Sequence, residues 1–255
     1  MKSPLLSIGE NGRASGATGP LLWACLLSAL ASALVFPFDH EVAPWLAGLG
    51  SKWPARPTLL RVVKSLGKTD LLAIVLLLVC LTRQRRAGVA GLVSLALVAL
   101  PVLLLKDWIQ RPRPEHSGFS FPSGDAANAS AALLPLALSL RSRGPWVGAA
   151  ILAVCAGRVA EAYHYPSDVL AGAALGAPAA WAGIRWTPRI GRRPRARVIV
   201  PLLVLGLAVS TVLAWQSHGK PPFPAFAVTI LPVGLAVVVR ERAWLARRRA
   251  RVAQA

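Results

Sequence analysis

Long apolar runs, broken by short arginine-bearing stretches, limit what this chain can fold into. They cover residues 20–38, 71–81, 87–105, 123–140, 145–163, 167–186, 198–215 and 224–239. Most approach the roughly 20 residues that cross a bilayer as a helix. Only 15% of the 255 residues are charged, against about 25% in an ordinary soluble domain. The chain therefore reads as an all-α, polytopic transmembrane bundle. The 71–81 run is short and must draw on residues 67–70, with Lys68 reaching toward the headgroups. Residues 39–67 read equally as a short interfacial helix, with Trp45, Leu46, Leu49 and Trp53 at helical spacing, or as a loop with aromatic anchors.

This patterning divides the chain. Residues 1–19 form a disordered cytoplasmic N-terminus and 20–186 a six-helix core. A basic cytoplasmic loop spans 187–197, two further transmembrane helices span 198–240, and a basic tail spans 241–255. The first run reads as an uncleaved helix. A cleaved signal peptide is the alternative, given the small residues Ala29, Ala31 and Ala33.

The net charge of +19 invites a nucleic-acid reading. The placement of the bases argues against it, because they lie between apolar runs and in the tail. With eight spans, one side receives Arg83, Arg85 and Arg86, Arg141 and Arg143, the 185–197 cluster and the tail. That excess marks the cytoplasmic side. The 39–67 segment, the 106–122 segment and the turn at His164 then face outward. Cys25, Cys80 and Cys155 lie inside apolar runs without metal-ligand spacing, as small core residues.

Three polar clusters at helix edges carry the chemistry. In the first, Lys106 ends an apolar run and Arg111-Pro112-Arg113-Pro114 follows. Proline stiffens that loop, and arginine matches phosphate oxygens in a bidentate way. Interfacial snorkelling is the competing reading. In the second, Pro122-Ser123-Gly124-Asp125 opens a helix. Ser123 is a plausible N-cap, Gly124 admits close approach, and the first-turn amides form an anion site. Plain capping explains the same residues. In the third, Arg158 and Glu161 share a helix face, with Glu161 a structural partner for Arg158. His164 and Asp168 flank a turn at Pro166 that can fold the carboxylate back onto the ring. Such a carboxylate fixes the tautomer and leaves the other ring nitrogen free to attack.

In order and spacing these clusters resemble the type 2 phosphatidic acid phosphatase superfamily of membrane lipid phosphatases. That family has a Lys, six residues, then Arg-Pro, as in Lys106 and Arg113-Pro114. It has Pro-Ser-Gly-His, where this chain has Pro122-Ser123-Gly124-Asp125. It has Ser-Arg, five residues, His, three residues, Asp, where this chain has Gly157-Arg158, His164 and Asp168. The resemblance implies that His164 attacks phosphorus and carries a transient phosphoryl group, and that Asp168 orients it. Lys106, Arg113, Arg158 and the amides near Ser123 and Gly124 would hold the phosphate oxygens. No metal or cofactor is implied.

Three departures stand out. Only residues 115–121 separate the first two motifs, Gly157 replaces the serine before Arg158, and Asp125 stands where the family has its second histidine. In the family that histidine would protonate the leaving oxygen. An aspartate among Lys106, Arg113 and Arg158 is pushed toward its ionised form, and is then a poor general acid. The expected activity is a metal-independent lipid phosphatase or diphosphatase at the outer face of a bacterial inner membrane. A polyprenyl diphosphate is the sharpest substrate, because its leaving group needs little protonation. His116 is a substitute acid to test. The alternatives are a phosphotransferase on the same site, or a non-catalytic lipid-phosphate binder or transporter. Oligomeric state and the role of the last two helices are not legible.

Overall fold

The computed structural model describes residues 18–48, 55–80, 82 and 84–187. The expected N-terminal tail, the basic 187–197 loop beyond Thr187, the two further helices and the basic tail lie outside these residues.

The described chain is all-α. Its helices are α1 (Thr18–Val35), α2 (Asp39–Gly48), α3 (Arg56–Gly67), α4 (Thr69–Cys80), α5 (Arg85–Ile109), α6 (Gly124–Ser139), α7 (Gly144–Ala160) and α8 (Pro166–Trp186). Helices α1 and α4–α8 fall on the runs expected to span. The 39–67 segment is two helices, α2 and α3, rather than one interfacial helix or a loop. Among the described residues, two stretches, Gly19–Gly48 and Arg85–Ile109, are long and apolar enough by length and composition to cross a membrane. At 12 residues α4 rises only about 18 Å. Lys68, in extended backbone, is all that separates it from α3.

Helix α8 sits at the centre, against α1, α5 and α6. Its sequence explains the close fit. A Cβ on Gly172 would strike the Ser123 carbonyl, and one on Gly176 would lie 2.5 Å from the Ser130 Cβ and 2.7 Å from the Ala127 carbonyl oxygen. Small residues let membrane helices approach closely where no hydrophobic force drives them together. Val98 and Val102 of α5 pack on Ala127, Ala131 and Ala179 in the same seam.

The outside of α1 is greasy and uncovered, with Leu22, Leu26, Leu30 and Leu34 exposed. Trp45 and Trp108 are exposed near the polar clusters, and Trp23, Trp146 and Trp186 near the opposite helix ends. Tryptophan at both ends is what two membrane–water interfaces require. The three cysteines are half-buried rather than fully enclosed.

Candidate active site

Helix α5 stops where it must for its loop to reach the site. Gln110 takes a left-handed conformation (φ 50°) as its C-cap, and Pro112 cannot continue a helix. The loop doubles back through Gly118 (φ 92°) to pair Pro112 with Phe119. This fold explains how so short a connection serves both motifs.

The loop gathers the cations. Lys106 Nζ donates to the Phe119 carbonyl at 3.1 Å and lies 3.5 Å from that of Ser120. Arg113 Nε reaches the same Phe119 oxygen at 3.3 Å. Arg113 and Arg158 both stand over the Tyr163 ring, at 5.3 and 4.5 Å from its centroid. Burial first, and then the Arg158 guanidinium, lower the pKa of Arg113 from its ordinary value. Such crowding of like charge suits an anion.

Arg158 lies between two carboxylates, hydrogen-bonded to one and ion-paired with the other. Glu161 accepts from Nη1 at 2.8 Å, so the expected pairing is present. Asp125 lies 3.1 Å from Nε. The aspartate that stands where the resembled family has its second histidine thus offsets the charge of Arg158.

Ser123 does precede α6, but its side chain makes no cap bond. Its backbone N–H donates to the Asp168 carbonyl, which ties the start of α6 to the start of α8. The Ser123 hydroxyl is fully buried and has no hydrogen-bond partner among the described residues. Gly124 opens the helix with room around it: an added Cβ would meet only Val102, at 3.7 Å.

The turn does fold Asp168 back beside the His164 ring, but not to hydrogen-bond distance. The nearest Asp168 oxygen is 3.8 Å from His164 Nδ1. Nδ1 instead lies 2.7 Å from the Ser120 carbonyl oxygen. A carbonyl only accepts, so Nδ1 must carry the proton. Asp168 is occupied elsewhere: Oδ1 accepts from Arg111 at 2.9 Å and Oδ2 from the Tyr165 N–H at 2.8 Å. His164 is buried, and burial lowers its pKa from the ordinary 6.5; Asp168 opposes this, while Arg158 and Lys106 reinforce it.

Arg111, which like Arg113 precedes a proline, has different partners. Its side chain joins Asp168, the Ser167 hydroxyl and Asp39, each at 2.9 Å. Its guanidinium lies 4.0 Å from the Tyr165 ring centroid and 4.6 Å from that of Phe36. Sequence reasoning missed Asp39, Ser120, Tyr163 and Ser167. Asp39 left one signal, being an acid at the end of an apolar run. Ser120, acting through its backbone, left none. His116 stacks on Tyr163 (3.6 Å between centroids), with Nε2 3.0 Å from the Glu161 carbonyl oxygen.

Fold and site together define a membrane helical bundle with a buried histidine beside clustered cations and a helix N-terminus. The PAP2 superfamily model matches residues 115–192, taking in the second and third motifs. A curated relative, phosphatidylglycerophosphatase B of Bacillus subtilis, is 36% identical over 90 residues, covering 29% of this chain and 44% of the relative. The chain thus spans less than half the length of that relative. Among solved structures, the transmembrane PAP2-type phosphatidylglycerolphosphate phosphatase of Bacillus subtilis is similar in fold. It has a TM-score of 0.54 at 23% identity, covering 68% of this chain and 96% of that one. Aquifex aeolicus LpxE is similar at TM-score 0.50 and 20% identity, covering 57% and 94%. Through residues 115–192 the chain is similar to the PAP2 superfamily.

Proposed function

We propose that this protein is an integral-membrane lipid phosphatase or diphosphatase, with a polyprenyl diphosphate as its preferred substrate. The observation that carries the reading is the state of His164. Its Nδ1 proton is bound to Ser120, and its Nε2 makes no hydrogen bond to a described residue. A neutral imidazole so held is a nucleophile at Nε2.

In the proposed reaction Nε2 attacks the terminal phosphorus and the bridging P–O bond breaks. The polyprenyl monophosphate departs with the electron pair. Lys106, Arg113, Arg158, the unpartnered Ser123 hydroxyl and the Gly124 amide hold the phosphoryl oxygens as charge shifts toward the leaving group. Asp168 stabilises the cationic phosphohistidine from a short distance. Water then attacks phosphorus, the P–N bond breaks with its pair returning to Nε2, and the water's proton leaves with the phosphate or to solvent. The diphosphate preference rests on Asp125 standing in place of a histidine, 3.1 Å from Arg158 Nε: a phosphate leaving group needs little proton donation.

The excess of bases at the opposite helix ends supports a site on the outer face of a bacterial inner membrane. The test is phosphate release by detergent-purified protein with EDTA present, comparing a polyprenyl diphosphate, phosphatidic acid and phosphatidylglycerol phosphate. Release is expected to disappear in His164→Ala. A second reading, a lipid-phosphate binder, draws on Asp125 offsetting Arg158 and on the two further apolar runs, and predicts that His164→Gln keeps ligand affinity without any turnover in the parent protein. A phosphotransferase would pass the phosphoryl group to an acceptor in place of water.

A further inference from the structure

One arginine reaches both neighbours of the His164 ring. The Arg111 guanidinium donates to Asp168 Oδ1 at 2.9 Å. The Arg111 carbonyl accepts from the Ser120 N–H at 2.7 Å and the Ser120 hydroxyl at 3.2 Å. Ser120 in turn offers its own carbonyl to His164. On its far side Arg111 meets Asp39 of α2, which is fully buried and also accepts from the Ser167 N–H at 3.1 Å and from the Ser167 hydroxyl.

We propose that Arg111 and Asp39 are positioning residues for His164, with Arg111 holding the Asp168 carboxylate off the imidazole and also bracing the peptide that takes the Nδ1 proton. The proposal rests on His164 being the nucleophile. It assigns the tautomer to Ser120 and leaves Asp168 a shielded charge rather than a direct ring partner.

The physical logic is one of basicity. An unshielded carboxylate against a buried imidazole favours the imidazolium, which cannot attack. Arg111 offsets that carboxylate and keeps the ring neutral. Asp39 moderates Arg111, so that its whole charge does not fall on Asp168. Around the ring the other charges are Lys106 of α5 and Arg158 of α7, both opposing protonation. Asp125 of α6 faces Arg158, and Arg113 of the loop faces Tyr163.

The experiment is a pH titration of 15N-histidine-labelled protein in detergent micelles by NMR, with the His164 signal assigned by its loss in His164→Gln. The wild-type ring should be neutral near pH 7 with its proton on Nδ1. Arg111→Met should raise the His164 pKa by about one unit or more, a tenfold change in protonation. Asp39→Asn should lower it. A proton on Nε2, an unchanged pKa in Arg111→Met, or an unchanged or raised pKa in Asp39→Asn would overturn the proposal. If Arg111→Met fails to fold, Asp39→Asn and the wild-type tautomer decide it. The titration reads protonation and not turnover. Failure of the nucleophile assignment would appear separately, as undiminished phosphate release by His164→Ala.

Discussion

The Asp125 carboxylate lies 3.1 Å from Nε of Arg158, so it offsets the charge of a cation proposed to hold the phosphate. Removing its charge releases Arg158 toward the ligand. Asp125→Asn should therefore tighten inhibition by inorganic phosphate about tenfold, equivalent to ~1.4 kcal/mol. Turnover of a polyprenyl diphosphate should stay within a few-fold of the parent, since its leaving group needs no strong acid. Asp125→His should raise turnover of phosphatidic acid relative to the diphosphate. If Asp125→Asn instead abolishes diphosphate turnover, Asp125 is the acid and the leaving-group argument fails.

The His164 ring is buried, and its pKa is lowered from 6.5. A nucleophile must be unprotonated, so activity rises as pH climbs through that lowered value. The acid limb of kcat/KM, which reports the free enzyme, is expected below pH 6.5. A limb above that value would contradict the burial argument.

Asp168→Asn should be milder than the loss of a carboxylate that alone sets a catalytic tautomer, which costs about 10⁴-fold in a serine protease triad. Ser120 holds the Nδ1 proton here. The expected loss in kcat is on the order of 10–10²-fold, because only charge stabilisation is removed. A loss as large as that of His164→Ala would return the tautomer to Asp168.

Packing predicts a contrast between two glycines. A Cβ on Gly172 would strike the Ser123 carbonyl at the phosphate end, whereas one on Gly183 would meet Ala90 and Ser94 at the other end of the seam. Both Gly172→Ala and Gly183→Ala should lower stability, by roughly 1–3 kcal/mol, because the helices must part. Thermal unfolding in detergent measures this. Only Gly172→Ala should also weaken phosphate binding.

The helices and the candidate site residues could be read from the chain because each leaves a local mark. Apolar length marks a membrane helix, and the Lys106, Arg158 and His164 motifs carry their chemistry in side chains at fixed spacing. Close contacts made by backbone, or across long stretches of chain, leave no such mark. The Ser120 carbonyl that binds His164 is a group every residue has. Arg111 and Arg113 both precede proline, and only the fold sends Arg111 to Asp39 and Asp168 and Arg113 toward Phe119 and Tyr163. The split of 39–67 into α2 and α3 likewise depends on what each helix meets, with Arg56 anchored to the Ala160 carbonyl and Val63 filling the space beside Gly157. The sequence alone determined an all-helical bundle with membrane-length apolar runs and the candidate site residues it carries, since hydropathy and side-chain chemistry are properties of residues. Tertiary structure decided which partner each charge found, since a buried charge settles on the opposite charges and peptide groups that packing brings within reach.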